Sequence, residues 1–213
     1  ETLNFCSYAL LANFVDHQSI SSVAEDNYGH IWVGARHFRL FKFNKVTKLF
    51  TEFTPEWVDE QKKKLLGVII EILPDRFDNN ILWLAMPDYQ EKSGESHNVL
   101  VKYEIKENKF EAQLARGRPK YQDEQGNLWL ANAGVSVYNP MTRQVKHFPL
   151  QINDHGRVVP IYVHDIHHFS GKNLVAAPDR LFELDDKGNY KPLWHNQELG
   201  ISEKLFIDRQ NSL

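Results

Sequence analysis

Cysteine is nearly missing from this chain, which holds one in 213 residues. Cys6 alone excludes an internal disulfide framework and any thiolate zinc site, and it fits either redox compartment. Long apolar runs are missing as well, since no stretch approaches the roughly 18 consecutive apolar residues of a membrane helix. The first residue is Glu1, so a signal peptide or membrane span is expected outside this chain. Basic charge is not in excess: 25 Lys and Arg stand against 28 Asp and Glu, a formal net charge of -3. A phosphate backbone needs a basic stripe to displace its counterions, so nucleic acid is not an expected partner. The lysine run Lys62 to Lys64 reads as a solvated face. Nucleophile elbow, phosphate loop and zinc-protease helix are all absent from the sequence, and neither a catalytic residue nor a cofactor is expected.

What is present is a repeat. Asp26-Asn-Tyr-Gly29-His-Ile31-Trp32-Val33-Gly34 recurs as Asp123-Glu-Gln-Gly126-Asn-Leu128-Trp129-Leu130-Ala131. A shortened copy reads Asp78-Asn-Asn-Ile81-Leu-Trp83-Leu-Ala85, and a degenerate one reads His168-Phe-Ser-Gly171-Lys-Asn-Leu174-Val-Ala176. Trp32, Trp83, Trp129 and Leu174 follow one another at intervals of roughly 45 to 50 residues, the length of one propeller blade. Phe206-Ile-Asp208-Arg-Gln-Asn211 begins a fifth copy, with Asn in place of the glycine because Asn also tolerates positive φ.

Each part of the repeat has a physical role. Ile20 to Glu25 and Val68 to Leu73 read as first strands, and Asp-x-x-Gly as the turn after them: Asp bonds the backbone ahead and Gly supplies φ > 0. The tryptophan of the second strand is expected between neighbouring blades, and the small residue two positions later allows backbones to approach. Third strands are expected at Leu40 to Phe43, Leu100 to Tyr103, Val135 to Tyr138 and Leu181 to Leu184. Outer strands are expected to end in Phe50, Phe110, Phe148 and Leu193. Four antiparallel strands per repeat make a blade, so the fold is all-β: a β-propeller with about four and a half blades present. The repeats fall at about 20–66, 67–118, 119–160 and 161–204, with 205–213 starting a further blade of a single propeller segment spanning 1–213.

The stretch Ser22-Val-Ala-Glu25-Asp26-Asn-Tyr-Gly29-His-Ile-Trp-Val-Gly34, followed by Phe41-Lys-Phe43-Asn44, resembles the two-component regulator propeller repeat. That resemblance implies a segment of a seven-bladed ring in the periplasmic sensor of a hybrid histidine kinase, with ligand sensing as the function. The expected ligand is a small molecule or glycan-derived oligosaccharide, the expected assembly a homodimer through the full-length sensor, and the membrane is reached only through a segment outside this chain. Arg36-His-Phe-Arg39 departs from the family's Thr-x-x-Gly-Leu, and the fourth copy lacks its tryptophan.

Strands in a blade alternate in direction, which puts the second-to-third and blade-to-blade connections on one face. That face carries the insertions 54–66, 85–98, 114–119, 150–161 and 195–202, and long loops on a rigid scaffold are where binding residues collect. The candidates there are Arg36, His37, Trp57, Tyr89, Arg116, Arg118, Asn132, His155 and Trp194, with Asp88 and His195 beside them. Thr54-Pro55-Glu56-Trp57 reads as a helix start. Val163-His-Asp-Ile-His-His168 looks like a metal cluster, but on a strand His164 and His168 face one way and Asp165 and His167 the other, so no metal site is expected. Asp165 or His167 is expected in the central channel. Two other readings stand: a metal-dependent lyase or lactonase propeller, against which only Glu25, Glu71 and Asp165 provide acids on first strands, and a protein-interaction propeller.

Overall fold

The computed structural model describes residues 20–55, 67–87, 98–154 and 157–195. The described residues form an all-β structure. Blade 1 is β1 (Ile20–Glu25), β2 (Ile31–Ala35), β3 (Leu40–Phe43) and β4 (Phe50–Phe53). Blade 2 is β5 (Glu71–Pro74), β6 (Ile81–Pro87), β7 (Asn98–Glu104) and β8 (Lys109–Arg116). Blade 3 is β9 (Arg118–Gln122), β10 (Leu128–Asn132), β11 (Gly134–Asn139) and β12 (Gln144–Phe148). A separate hairpin follows, β13 (Gln151–Asp154) and β14 (Arg157–Pro160), and then blade 4: β15 (Asp165–Phe169), β16 (Lys172–Ala177), β17 (Arg180–Leu184) and β18 (Tyr190–His195). Every blade is an antiparallel meander in sequence order.

The innermost strands lie side by side, β1 against β5, β5 against β9 and β9 against β15, as blades fanned around an axis require. Among the described residues no extended contact joins blade 4 to blade 1, so these four blades form an arc of a propeller. The second strands are nearly continuous apolar runs, such as Ile81–Pro87, buried along most of their length, and their side chains fill the spaces between blades. Trp32 is fully buried with Leu40, Ile72, Leu82, Leu84 and Tyr103 between blades 1 and 2. Trp83 is buried with Leu100, Leu128, Leu130 and Tyr138 between blades 2 and 3. Trp129, expected to be buried, is half-buried and stacks on Tyr121 with centroids 5.3 Å apart.

Gly34 shows why the residue two positions after the tryptophan is small: an added Cβ would lie 2.8 Å from the Ile69 carbonyl oxygen and 2.9 Å from the Ile69 Cβ. The chain leaving blade 1 crosses the end of β2 at that point.

Several details differ from the sequence reading. Phe50 opens β4 and Phe110 lies at the beginning of β8, so these outer strands start at the phenylalanines rather than end there. Both rings pack inside their own blade, Phe50 on Phe43 at 4.8 Å and Phe110 on Tyr103 at 4.3 Å, which places them next to the preceding turn. The expected loop at 114–119 does not exist. β8 runs on to Arg116, Gly117 alone makes the link with φ 128°, and β9 starts at Arg118. The insertion at 150–161 is the β13–β14 hairpin. The turn aspartate of blade 2 is Asp75 and not Asp78, because it is Asp75 whose carboxylate accepts from the Trp83 indole.

Candidate functional site at the inner lip

The blade-to-blade links arrive at the starts of the inner strands, and the first residues of those strands converge there. Ser21, Ser22 and Val23 of β1, Ile70 and Glu71 at β5, Arg118 and Lys120 of β9, and His164 just before β15 line a pocket of about 300 Å³. Arg118 and Lys120 of β9 both reach this pocket, and the β9–β10 pairing shifts register at Lys120, which lies outside the regular ladder. A register shift between Ile20 and Ser22 brings two successive serines to the lip instead of one. Both hydroxyls donate to the Ile69 carbonyl oxygen at 2.7 Å, and Ser21 also reaches the Gly34 carbonyl at 3.0 Å. Their protons are held by carbonyls, so they serve as hydrogen-bonding groups and not as activated nucleophiles.

Lys120 is the centre of the charge arrangement. Its side chain is 5% exposed, and its Nζ lies 2.6 Å from Glu71 Oε2 and 3.8 Å from Asp165 Oδ1. An ammonium removed from water to this degree requires compensation, and two carboxylates supply it from the blades on either side. One side chain of blade 3 therefore ties blades 2 and 4 together at the axis. Arg118 adds a second tie, donating from Nη2 to the Val163 carbonyl at 2.9 Å and to that of His164 at 3.4 Å. A guanidinium has five donors, so one committed nitrogen leaves capacity toward the pocket. On the far side of Asp165, His167 Nε2 stands 3.6 Å from Asp165 Oδ2, and His168 bonds Asn173 across the hairpin at 3.0 Å. The histidine run is thus split between the two faces of β15, and among the described residues no three His, Cys, Asp or Glu side chains are grouped to hold a metal ion.

Of the candidates named from sequence, Arg118 lines the lip. Arg36 is exposed in the β2–β3 turn and its backbone bridges Val68, while His37 beside it is half-buried with φ 60°. Arg116 ends β8, and Asn132 ends β10 with its carbonyl accepting from Val163 N at 2.7 Å. Trp194 is 43% exposed on outer strand β18, and His195 ends that strand. These do not converge. Trp57, Tyr89 and His155, with Asp88, the helix start at Thr54 to Trp57 and the fifth repeat at 205–213, lie in whole or in part outside the described residues. The sequence reading passed over Ser21, Ser22 and Lys120. The signal that could have found them is position: each falls within the first three residues of a first strand, where blades meet at the axis.

Residues 15–37 match the family described as two component regulator propeller. The comparison with curated proteins gave no match. Among solved structures, the chain is similar to the extracellular domain of a provisionally assigned hybrid two component system from B. thetaiotaomicron, at 13% identity and TM-score 0.48, covering 92% of this chain and 30% of that one. It is similar to a protein provisionally assigned as a gluconolactonase, at 16% identity and TM-score 0.53, covering 82% and 63%. It is also similar to the tricorn protease, at 11% identity and TM-score 0.50, covering 84% and 22%. The chain spans less than two thirds of the length of each of these, and at such identities the likeness is one of fold. Residues 15–37 thus match one repeat of the two component regulator propeller family, in a chain whose described residues build four-stranded propeller blades.

Proposed function

We propose that this chain is part of the extracytoplasmic, ligand-sensing propeller of a two-component sensor of the hybrid histidine kinase type, and that it recognises a hydroxyl-rich small molecule such as a glycan-derived oligosaccharide at the inner lip. The observation that carries the reading is the regulator-propeller match at residues 15–37, whose described part holds β1 and β2 of blade 1 and contributes Ser21 and Ser22 to the lip pocket. The chemistry of the pocket supports it. Serine hydroxyls, a carboxylate and a guanidinium alternate donors with acceptors, which is what vicinal hydroxyls need. The site sits in the periplasm and passes its signal through a membrane segment outside this chain to a cytoplasmic output domain, with the sensor acting as a homodimer.

Thermal-shift and titration measurements against neutral and uronic-acid disaccharides test this. Arg118→Ala and Ser22→Ala should each weaken any disaccharide that binds by about tenfold, the size expected when one hydrogen bond to a charged or buried partner is lost. If a disaccharide binds and neither substitution changes its affinity, the lip is not the sensing site.

A further inference from the structure

A larger concavity lies at the opposite end of the blades from the lip. It is a groove of about 520 Å³ between blades 2 and 3. Its floor is Ile81 and Trp83, and its walls are the β5–β6 turn and the two turns of blade 3, β9–β10 and β11–β12. Two apolar side chains stand on opposite rims with most of their surface in water: Phe77 at 61% exposure and Met141 at 92%. Both rims are braced by side-chain-to-backbone hydrogen bonds. Asp75 Oδ1 accepts from the backbone N–H groups of Phe77 and Asp78 at 2.8 Å each. Asn139 Oδ1 holds those of Met141 and Thr142 at 3.0 and 2.9 Å. Beneath them Gln122 Nε2 bonds Asp75 Oδ2 at 3.0 Å, tying the two blades together. A fixed concavity with exposed apolar rims loses little conformational entropy on binding.

The charge of the groove is one-sided. Its lining has four acids, Asp75, Asp78, Glu111 and Glu124, against two bases, Lys102 and Arg143. Lys102 is taken by Glu104 at 2.6 Å, and Arg143 approaches Glu111 at 3.7 Å. Asp75 is committed to Trp83, Gln122 and the turn backbone. Among the described residues no cation pairs with Asp78 or Glu124, and both line the groove.

We propose that this groove docks a segment of a partner protein that inserts an aliphatic side chain between Phe77 and Met141 and places a lysine or arginine next to it against Asp78 and Glu124. Burying the two rim side chains supplies the apolar gain, and the unmatched acids select the sign of the flanking charge. This surface is separate from the lip, so ligand sensing and docking can occur together.

The test uses fluorescence anisotropy with two labelled probe peptides of equal length, acetyl-Lys-Leu-Lys-Leu-Lys-amide and acetyl-Glu-Leu-Glu-Leu-Glu-amide. The basic peptide should bind at least about tenfold more tightly at low salt. Met141→Asp and Phe77→Ser should each lower that affinity by about tenfold, while Val46→Asp, on an equally exposed turn of blade 1, should leave it unchanged. Asp78→Lys combined with Glu124→Lys should reverse the preference between the peptides. Unchanged melting temperatures show that the variants fold. Equal binding of the two peptides, binding indifferent to Met141→Asp, or a self-association in sedimentation that Met141→Asp abolishes would each overturn the proposal, the last in favour of a second copy of this chain.

Discussion

The indole Nε1 of Trp83 donates to the Asp75 carboxylate at 2.7 Å across eight residues of chain, and Trp32 makes the same bond to Asp26 at 2.8 Å across six. Trp129 and Asp123 form it a third time at 3.0 Å. In each of these three blades one carboxylate caps the turn backbone with one oxygen and anchors the tryptophan of the second strand with the other. The bond geometry is kept while the loop length changes, because the fixed points are the buried indole and the end of the first strand.

Asp75→Ala should therefore be more damaging than the loss of an ordinary turn residue. It orphans the Trp83 N–H, which is buried, along with two turn N–H groups, and removes one of the bonds of the Gln122 amide. A buried donor left without a partner costs about 1–3 kcal/mol, so the total loss should reach about 3 kcal/mol or more. Urea unfolding followed by tryptophan fluorescence measures it. Asp78→Ala, which loses one exposed bond to the Asn80 N–H, should cost under about 1 kcal/mol.

Asp26 predicts a dependence on acid. Burial alone would raise its carboxyl, but bonds from the Trp32 indole and from the His30 backbone and ring outweigh burial and hold it below its ordinary 3.8. A carboxyl depressed in the folded state stabilises the fold at pH values above the unfolded pKa and loses that contribution as pH falls through the folded one. Stability measured from pH 5 down toward pH 2 should fall more steeply for the parent than for Asp26→Asn. Parallel curves would contradict this.

Gly134 and Gly171 separate two costs of a glycine substitution. Both have positive φ, 93° and 76°. A Cβ on Gly171 meets nothing within 4 Å, whereas one on Gly134 collides with the Phe148 carbonyl and lies 2.6 Å from the Leu150 nitrogen. Gly171→Ala should cost only the backbone term of about 1–2 kcal/mol. Gly134→Ala should cost clearly more, because the β10–β11 connection is the single residue Ala133 and has no slack. Differential melting of the two variants decides.

Lys120→Ala should destabilise by about 3 kcal/mol, since it strips the Glu71 carboxylate of its ammonium partner and removes one of the contacts of Asp165. Arg39→Ala breaks an equally short pair with Glu52 at 2.6 Å, but that pair is partly solvated and should cost about 1 kcal/mol or less. Chemical denaturation of both variants provides the comparison.

The sequence by itself determined the blade. Period, turn chemistry and the alternation of apolar residues are local properties, so β1 at Ile20–Glu25 and the third strands of all four repeats could be read from residue order. Asp75 was missed because Asp78 stands closer in the chain to Trp83, and only the path of the turn shows which carboxylate reaches the indole. Phe50 and Phe110 were set at the wrong ends of their strands because a single aromatic residue does not mark direction. The lip was beyond local reading altogether. Ser22, Glu71, Lys120 and Asp165 lie in four different repeats, and nothing in Arg118-Pro-Lys120 distinguishes a buried ammonium from a solvated one. The tertiary structure decided that, because fanning the blades around an axis brings the starts of their inner strands together, and buried charge then stays only where a partner from the next blade compensates it.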